Sequence, residues 1–189
     1  MKTSAPAPGT LRKALAALLL AILAAAAARI PFPLSGIPVA LENGFVILAG
    51  LVLGPGWGLA SVGIYLLAGL LGLPVLPGGA AGFYCLLGAS GGYLLGFLPA
   101  VVVTGLISER GRHRRTWDVL AAVCGCAVIY VPGVVWLKLI SRLPWRAALS
   151  VGVRPFLAAD ALKVVLAVAV SAAWRPLMSP RRPSTARAK

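Results

Sequence analysis

The chain has 189 residues, 60% of them hydrophobic, with four acids against eighteen Lys and Arg and a formal net charge of +14. A mean hydropathy of +0.94 and so few acids exclude an ordinary soluble domain and point to an integral membrane protein. The charge does not make it a nucleic-acid binder, because the basic residues mark the ends of apolar runs instead of sharing one solvated face with stacking aromatics.

Pro, Gly and charge divide the chain into six apolar runs, near 12–28, 39–53, 57–72, 91–108, 118–139 and 155–174. Unbroken apolarity predicts helices, since the strands of a membrane barrel alternate. The predicted fold is an all-α integral membrane protein, a six-transmembrane-helix bundle over 12–174, although several runs are short of the about 20 residues that cross a bilayer core.

The first run follows Lys2, Arg12 and Lys13 and ends in Ala24 to Ala28, a pattern shared with secretory signals. Five later runs favour a retained helix, with residues 1–11 as a cytoplasmic segment. Ala17, Ala21 and Ala25 recur every four residues, so a neighbour's backbone can approach this face. Contact with another protein rivals contact within the bundle there.

Two glycine-rich stretches come next, "GPGWG" (54–58) and "PGGAAGFYCLLGASGG" (77–92). Neither carries the Gly-Lys-Ser/Thr of a phosphate loop, so any ATP belongs on another subunit. In the fourth run Gly88, Gly92, Gly96, Ala100, Thr104 and Ser108 fall at four-residue intervals, which predicts close packing inside the bundle. Arg110, Arg112, Arg114 and Arg115 then form a basic loop around His113, the one histidine, read as a solvated surface group. Cys85, Cys124 and Cys126 lack metal-ligand spacing and are read as packing residues. With no Ser/His/Asp set and the acids scattered, the chain is not expected to be an enzyme.

The last run, "RPFLAADALKVVLAVAVSAAW" (154–174), holds Asp160 and Lys163. Beyond it lie Arg175, Arg181, Arg182, Arg187 and Lys189, in a tail (175–189) expected to be disordered. Basic residues concentrate at both termini and in the 109–118 loop, so the positive-inside rule places all three in the cytoplasm. The second and sixth helices then run inward from the outer surface. Glu42 and Asn43 lie about 5 Å in, Asp160 about 7–8 Å and Lys163 about 12 Å, near Tyr130 and Trp136 of the fifth helix.

Asp160 and Lys163 share a helix face at i, i+3 and could simply neutralise each other, a pairing worth about 0.2–0.5 kcal/mol in exposed helices. Each charge costs about 2.5–3.5 kcal/mol near the centre of a membrane helix, somewhat less at this depth. The difference favours a wet, outward-facing pocket that takes a small polar solute with an apolar body.

The stretches "IPFPLSGIPVALENGFVILAGLVLGPGWGLASVGIYLLAGLLGLPVLPGGAAG", "LLGASGGYLLGF", "YVPGVVWL" and "GVRPFLAADALK" resemble, in order and over about 29–174, the BioY family. This is the biotin-specific substrate-binding S component of energy-coupling factor (ECF) transporters. The resemblance implies a cell-membrane protein that binds biotin at its outer side and associates with a transmembrane coupling protein and two ATPase subunits. This chain would hold no cofactor, and ATP-Mg would sit on the ATPases. Ala17, Ala21 and Ala25 match the pattern by which S components dock on the coupling protein. Asp160 and Lys163 match the family's Asp-x-x-Lys, which implies a carboxylate on the ureido N–H groups and an ammonium on a ligand oxygen, with Glu42, Asn43 and Tyr130 beside them.

Two departures bear on the solute. Ala40-Leu41-Glu42-Asn43 stands where the family usually has Thr-Leu-Gln-Thr, and Ala158-Ala159 replaces Pro-Gly before the acid. Glu42 either adds a negative charge, which Lys163 balances or a different solute exploits, or is a neutral acid that donates as the amide would. A biotin precursor or another vitamin, a stand-alone secondary transporter using Glu42 as proton carrier, and an assembly protein without a ligand all stay open.

Overall fold

The computed structural model describes residues 8–30, 32–34, 37–39 and 41–178; the readings of residues 1–7 and 179–189 fall outside these. Helix α1 (Pro8–Ala28) begins four residues before the predicted run, with proline at its first position, where a missing N–H costs nothing. Strands β1 (Phe32–Leu34) and β2 (Ile37–Val39) pair antiparallel, Phe32 opposite Val39 and Leu34 opposite Ile37. This small ladder is an addition to the all-helical reading. Pro33 and Pro38 disfavour helix there, so the next helix starts at Glu42 and not near 39.

Helix α2 (Glu42–Leu70) is one element by hydrogen bonding but breaks at Gly54, whose φ of 75° and ψ of −176° only glycine adopts readily; Pro55 follows. The chain reverses there. A Cβ on Gly58 would lie 3.1 Å from the Ala49 carbonyl oxygen, whereas nine residues of straight helix would separate them by about 13 Å. The two arms, 42–53 and 55–70, are the second and third predicted helices. They rise about 18 and 24 Å, short of a full bilayer core of about 30 Å. The first arm therefore starts within the protein, and Glu42 and Asn43 start with it.

A connection containing a 3-10 turn at Pro77–Gly79 and helix α3 (Tyr84–Leu87) leads to α4 (Gly91–Arg110) and α5 (Arg115–Ser141). Helix α6 (Trp145–Gly152), unforeseen in the sequence, precedes α7 (Arg154–Met178). Among the described residues five helical stretches are long and apolar enough to span a membrane, and the reversal within α2 makes six passages of them. Residues 175–178 continue α7, which corrects the reading of 175–189 as a disordered tail: Arg175 is anchored inside the fold.

The small-residue face of α4 packs within the bundle as expected. A Cβ on Gly96 would approach Ile129 O of α5 to 3.0 Å, and one on Gly92 would meet Pro132 O at 2.4 Å. Ala100, Thr104 and Ser108 are fully buried. On the other side of α4, Gly105 abuts the α2 reversal, its would-be Cβ 2.5 Å from Pro55 N. Helix α1 packs on the second arm of α2, where the Ser61 hydroxyl donates to Ala17 O at 2.8 Å.

Candidate functional site: a cavity closed by a polar cluster

Glu42, Tyr130 and Asp160 mark one end of the bundle, called here the pocket end; the Gly54–Pro55 turn, the 111–114 turn and Arg175 mark the far end. At the pocket end the connection before α4 and helices α2, α4, α5, α6 and α7 line a half-open cavity of about 300 Å³. Leu94, Phe97, Ile129, Leu137 and Phe156 give it apolar walls, while Glu42, Asn43 and Tyr130 supply polar groups at its boundary. Tyr93 stands edge-on to Tyr130, ring centroids 6.5 Å apart, and donates to Gly152 O at 2.9 Å, holding α6 against the cavity. Trp136 Nε1 donates to Gly88 O at 3.0 Å and ties the connection before α4 to α5.

Asp160 organises the polar groups. Its Oδ1 accepts from Lys163 Nζ at 2.7 Å and from Asn43 Nδ2 at 3.1 Å, and its Oδ2 accepts a short bond from the Tyr130 hydroxyl. Lys163 also donates to Asn43 Oδ1 at 2.8 Å, so the amide bridges acid and base in a fixed orientation. Charge-assisted bonds of this kind are about twice as strong as neutral ones. Helix α7 brings the pair together at i, i+3; the short first arm of α2 brings Asn43, and α5 brings Tyr130.

The sequence-predicted ligand group thus converges, but in two layers. Glu42, Asn43 and Tyr130 bound the cavity. Asp160 is 5% exposed and Lys163 has a side chain 10% exposed; they stand one layer behind, engaged with the residues in front. The expectation that both charges face a wet pocket directly is corrected: Asn43 and Tyr130 stand between the pair and the cavity and bond to it. Glu42 is 2% exposed, the first residue of an arm that begins under cover.

Ala17, Ala21 and Ala25, the face whose neighbour the sequence leaves open, turn toward α2 in this structure. Ala17 and Ala21 are buried on α2 and Ala25 is half-buried, because alanines let the two helices approach closely. The open face of α1 carries Leu11, Leu15, Leu18 and Ile22.

A second cluster, at the far end, was missed. The Arg175 guanidinium spans Asp118, with Nη1 2.5 Å from Oδ2 and Nη2 3.0 Å from Oδ1, and donates to Leu51 O at 2.6 Å and Ser108 Oγ at 2.9 Å. The Ser108 hydroxyl donates to Asp118 Oδ1 at 2.6 Å, so at its 3.0 Å contact with His113 Nδ1 it accepts. His113 itself is exposed, as the sequence reading has it, and its ring nitrogen ties the basic turn to this node. Partial burial and the Arg175 charge push it below the usual histidine value. The available signal was that Asp118 is one of only four acids and sits three residues beyond the basic loop.

Six apolar passages with a small, mostly apolar cavity among them, bounded by an amide and a phenol that a buried carboxylate and ammonium hold from behind, define a membrane-embedded protein suited to a compact solute with polar and apolar parts. Comparison with known proteins makes this more specific. The family model described as the BioY family matches residues 1–180. A biotin transporter BioY of Thermotoga maritima is 37% identical over 142 residues, covering 75% of this chain and 83% of that protein. A probable biotin transporter BioY of Pyrococcus horikoshii is 38% identical over 144 residues, 76% of this chain and 84% of that one. The crystal structure of an S-component for biotin from an ECF-type ABC transporter superposes with a TM-score of 0.80 at 26% identity, over 91% of this chain and 95% of that chain. The chain belongs to the BioY family.

Proposed function

We propose that this chain is the substrate-binding S component of an ECF-type, ATP-driven importer and that it takes up biotin. The observation that carries the reading is the Asp160–Lys163–Asn43–Tyr130 cluster beside a cavity of about 300 Å³ with apolar walls. A cyclic urea offers N–H donors and a carbonyl acceptor. Its donors compete with Tyr130 and Asn43 for the Asp160 carboxylate, its carbonyl takes an N–H of Asn43 or Lys163, and an apolar ring and chain fill the space toward Phe97, Leu137 and Phe156. Glu42, buried beside Asn43, lines the same cavity.

The pocket end faces the outside of the cell, because Arg12, Lys13, Arg110, Arg112, Arg114, Arg115 and Arg175 at the far end outnumber Arg29, Arg142, Arg146 and Arg154 at the pocket end, and the more basic side stays in the cytoplasm. A transmembrane coupling protein and two ATPase subunits, which carry ATP-Mg, complete the importer; this chain hydrolyses nothing. A coupling protein reaches Ala17, Ala21 and Ala25 only once α1 parts from α2. Equilibrium binding of labelled biotin to the purified chain tests the reading: saturable one-to-one binding is expected, and its absence contradicts it. Glu42, in the place of the family's usual amide, favours a second reading in which the preferred solute is a biotin relative.

A further inference from the structure

Helix α6 has two faces. Ala148 and Gly152, one turn apart, are buried, and Gly152 lines the cavity. Arg146 and Ser150, also one turn apart, are offset by two residues, about 200° around the helix, and so point away from the cavity. With Ala147, Leu149 and Arg154 they line a separate open groove of about 590 Å³. Neither arginine is in an ion pair among the described residues, where the two bridges are Lys163–Asp160 and Arg175–Asp118.

The surroundings of this groove are amphiphilic. Leu149 in the groove and Trp145 at the start of the same helix are about half exposed, and Lys138 stacks 5.1 Å from the Trp145 ring. Exposed apolar side chains next to paired arginines, with a tryptophan at the helix start, are what an interfacial helix presents to acyl chains and headgroups. At the pocket end the exposed charged groups among the described residues, Arg29, Arg142, Arg146 and Arg154, are all basic, whereas Glu42 and Asp160 are buried.

We propose that the groove lined by Arg146, Ser150 and Arg154 binds the headgroup phosphate of an anionic phospholipid, with Leu149 against its acyl chain. Two guanidinium groups and a hydroxyl match phosphate oxygens, and a bare anion would leave the apolar flank unused. Because Gly152 of the same helix holds Tyr93 at the cavity wall, the lipid also braces the wall that the solute meets.

Native mass spectrometry of the detergent-purified chain with added phosphatidylglycerol tests this. The wild type should hold phosphatidylglycerol roughly thirtyfold more tightly than Arg146→Gln/Arg154→Gln, the loss of two interfacial arginine contacts. Arg146→Lys/Arg154→Lys should restore most of the binding, and phosphatidylcholine, whose ammonium offsets the charge of the same phosphate, should lose much less than phosphatidylglycerol in the Gln variant. Equal phosphatidylglycerol binding by wild type and the Gln variant would overturn the proposal, as would inorganic phosphate displacing the lipid at matched concentration. Should the double variant not fold, Arg146→Gln against Arg146→Lys reads the same contrast.

Discussion

Asp160, Lys163 and Asn43 were legible in the sequence because a charge or amide in an apolar run is expensive and needs a reason. Their layering was not: which polar group fronts the cavity depends on where the first arm of α2 begins, and that start is set by the β1–β2 pair. Ser108 and Arg175 were read as a small packing residue and a terminal charge, since nothing local says that they meet across 67 positions. Two predictions belong at this scale. Glu42→Gln is expected to preserve folding and to tighten biotin binding if the natural solute is a biotin relative; unchanged or weaker binding, measured by titration, leaves biotin as the preferred solute. The Tyr65 hydroxyl is buried without a hydrogen-bond partner among the described residues. Such an unpaired group costs about 1–3 kcal/mol, so Tyr65→Phe should leave the thermal unfolding temperature in detergent unchanged or raise it, and a clear fall would show a hidden partner.

Among the elements, the six apolar runs could be read because Gly and Pro punctuate them, and Gly54-Pro55 in particular separates two arms that continuous hydrogen bonding merges. Helix α6 escaped because eight residues with an arginine near the start resemble neither a crossing nor a turn. The four-residue repeat in α4 announced close packing but not its partner, which is α5 on the Gly92 and Gly96 side; Gly105, outside the repeat, faces the α2 reversal. At Gly105 an added side chain meets backbone, which cannot swing aside as a rotamer can. Gly105→Val should therefore destabilise by about 1–3 kcal/mol or more, read as a lower unfolding temperature. Wild-type stability would show that the reversal is not held against α4.

At the scale of the whole molecule, α7 is clamped twice: Asp160 and Lys163 hold Asn43 of α2 and Tyr130 of α5 at the pocket end, and twelve residues beyond Lys163, about 18 Å along the helix, Arg175 holds Asp118 at the far end. Two of the four acids in the chain are used in this way. The far clamp joins α4, α5, α7 and the end of the first α2 arm without touching the cavity, so its loss should affect stability before affinity. Removing one partner of a buried pair costs about 3–5 kcal/mol. Arg175→Gln should lower the unfolding temperature markedly while the folded fraction binds solute normally, and weakened affinity at full stability would contradict that division. The near clamp carries the central claim, that Asp160 gathers the donors which receive the solute. Equilibrium binding of labelled biotin to purified wild type and Asp160→Asn, each shown to be folded, tests it most directly. The account predicts saturable binding by the wild type, weakened more than tenfold in the variant, and equal affinity in the two would contradict it.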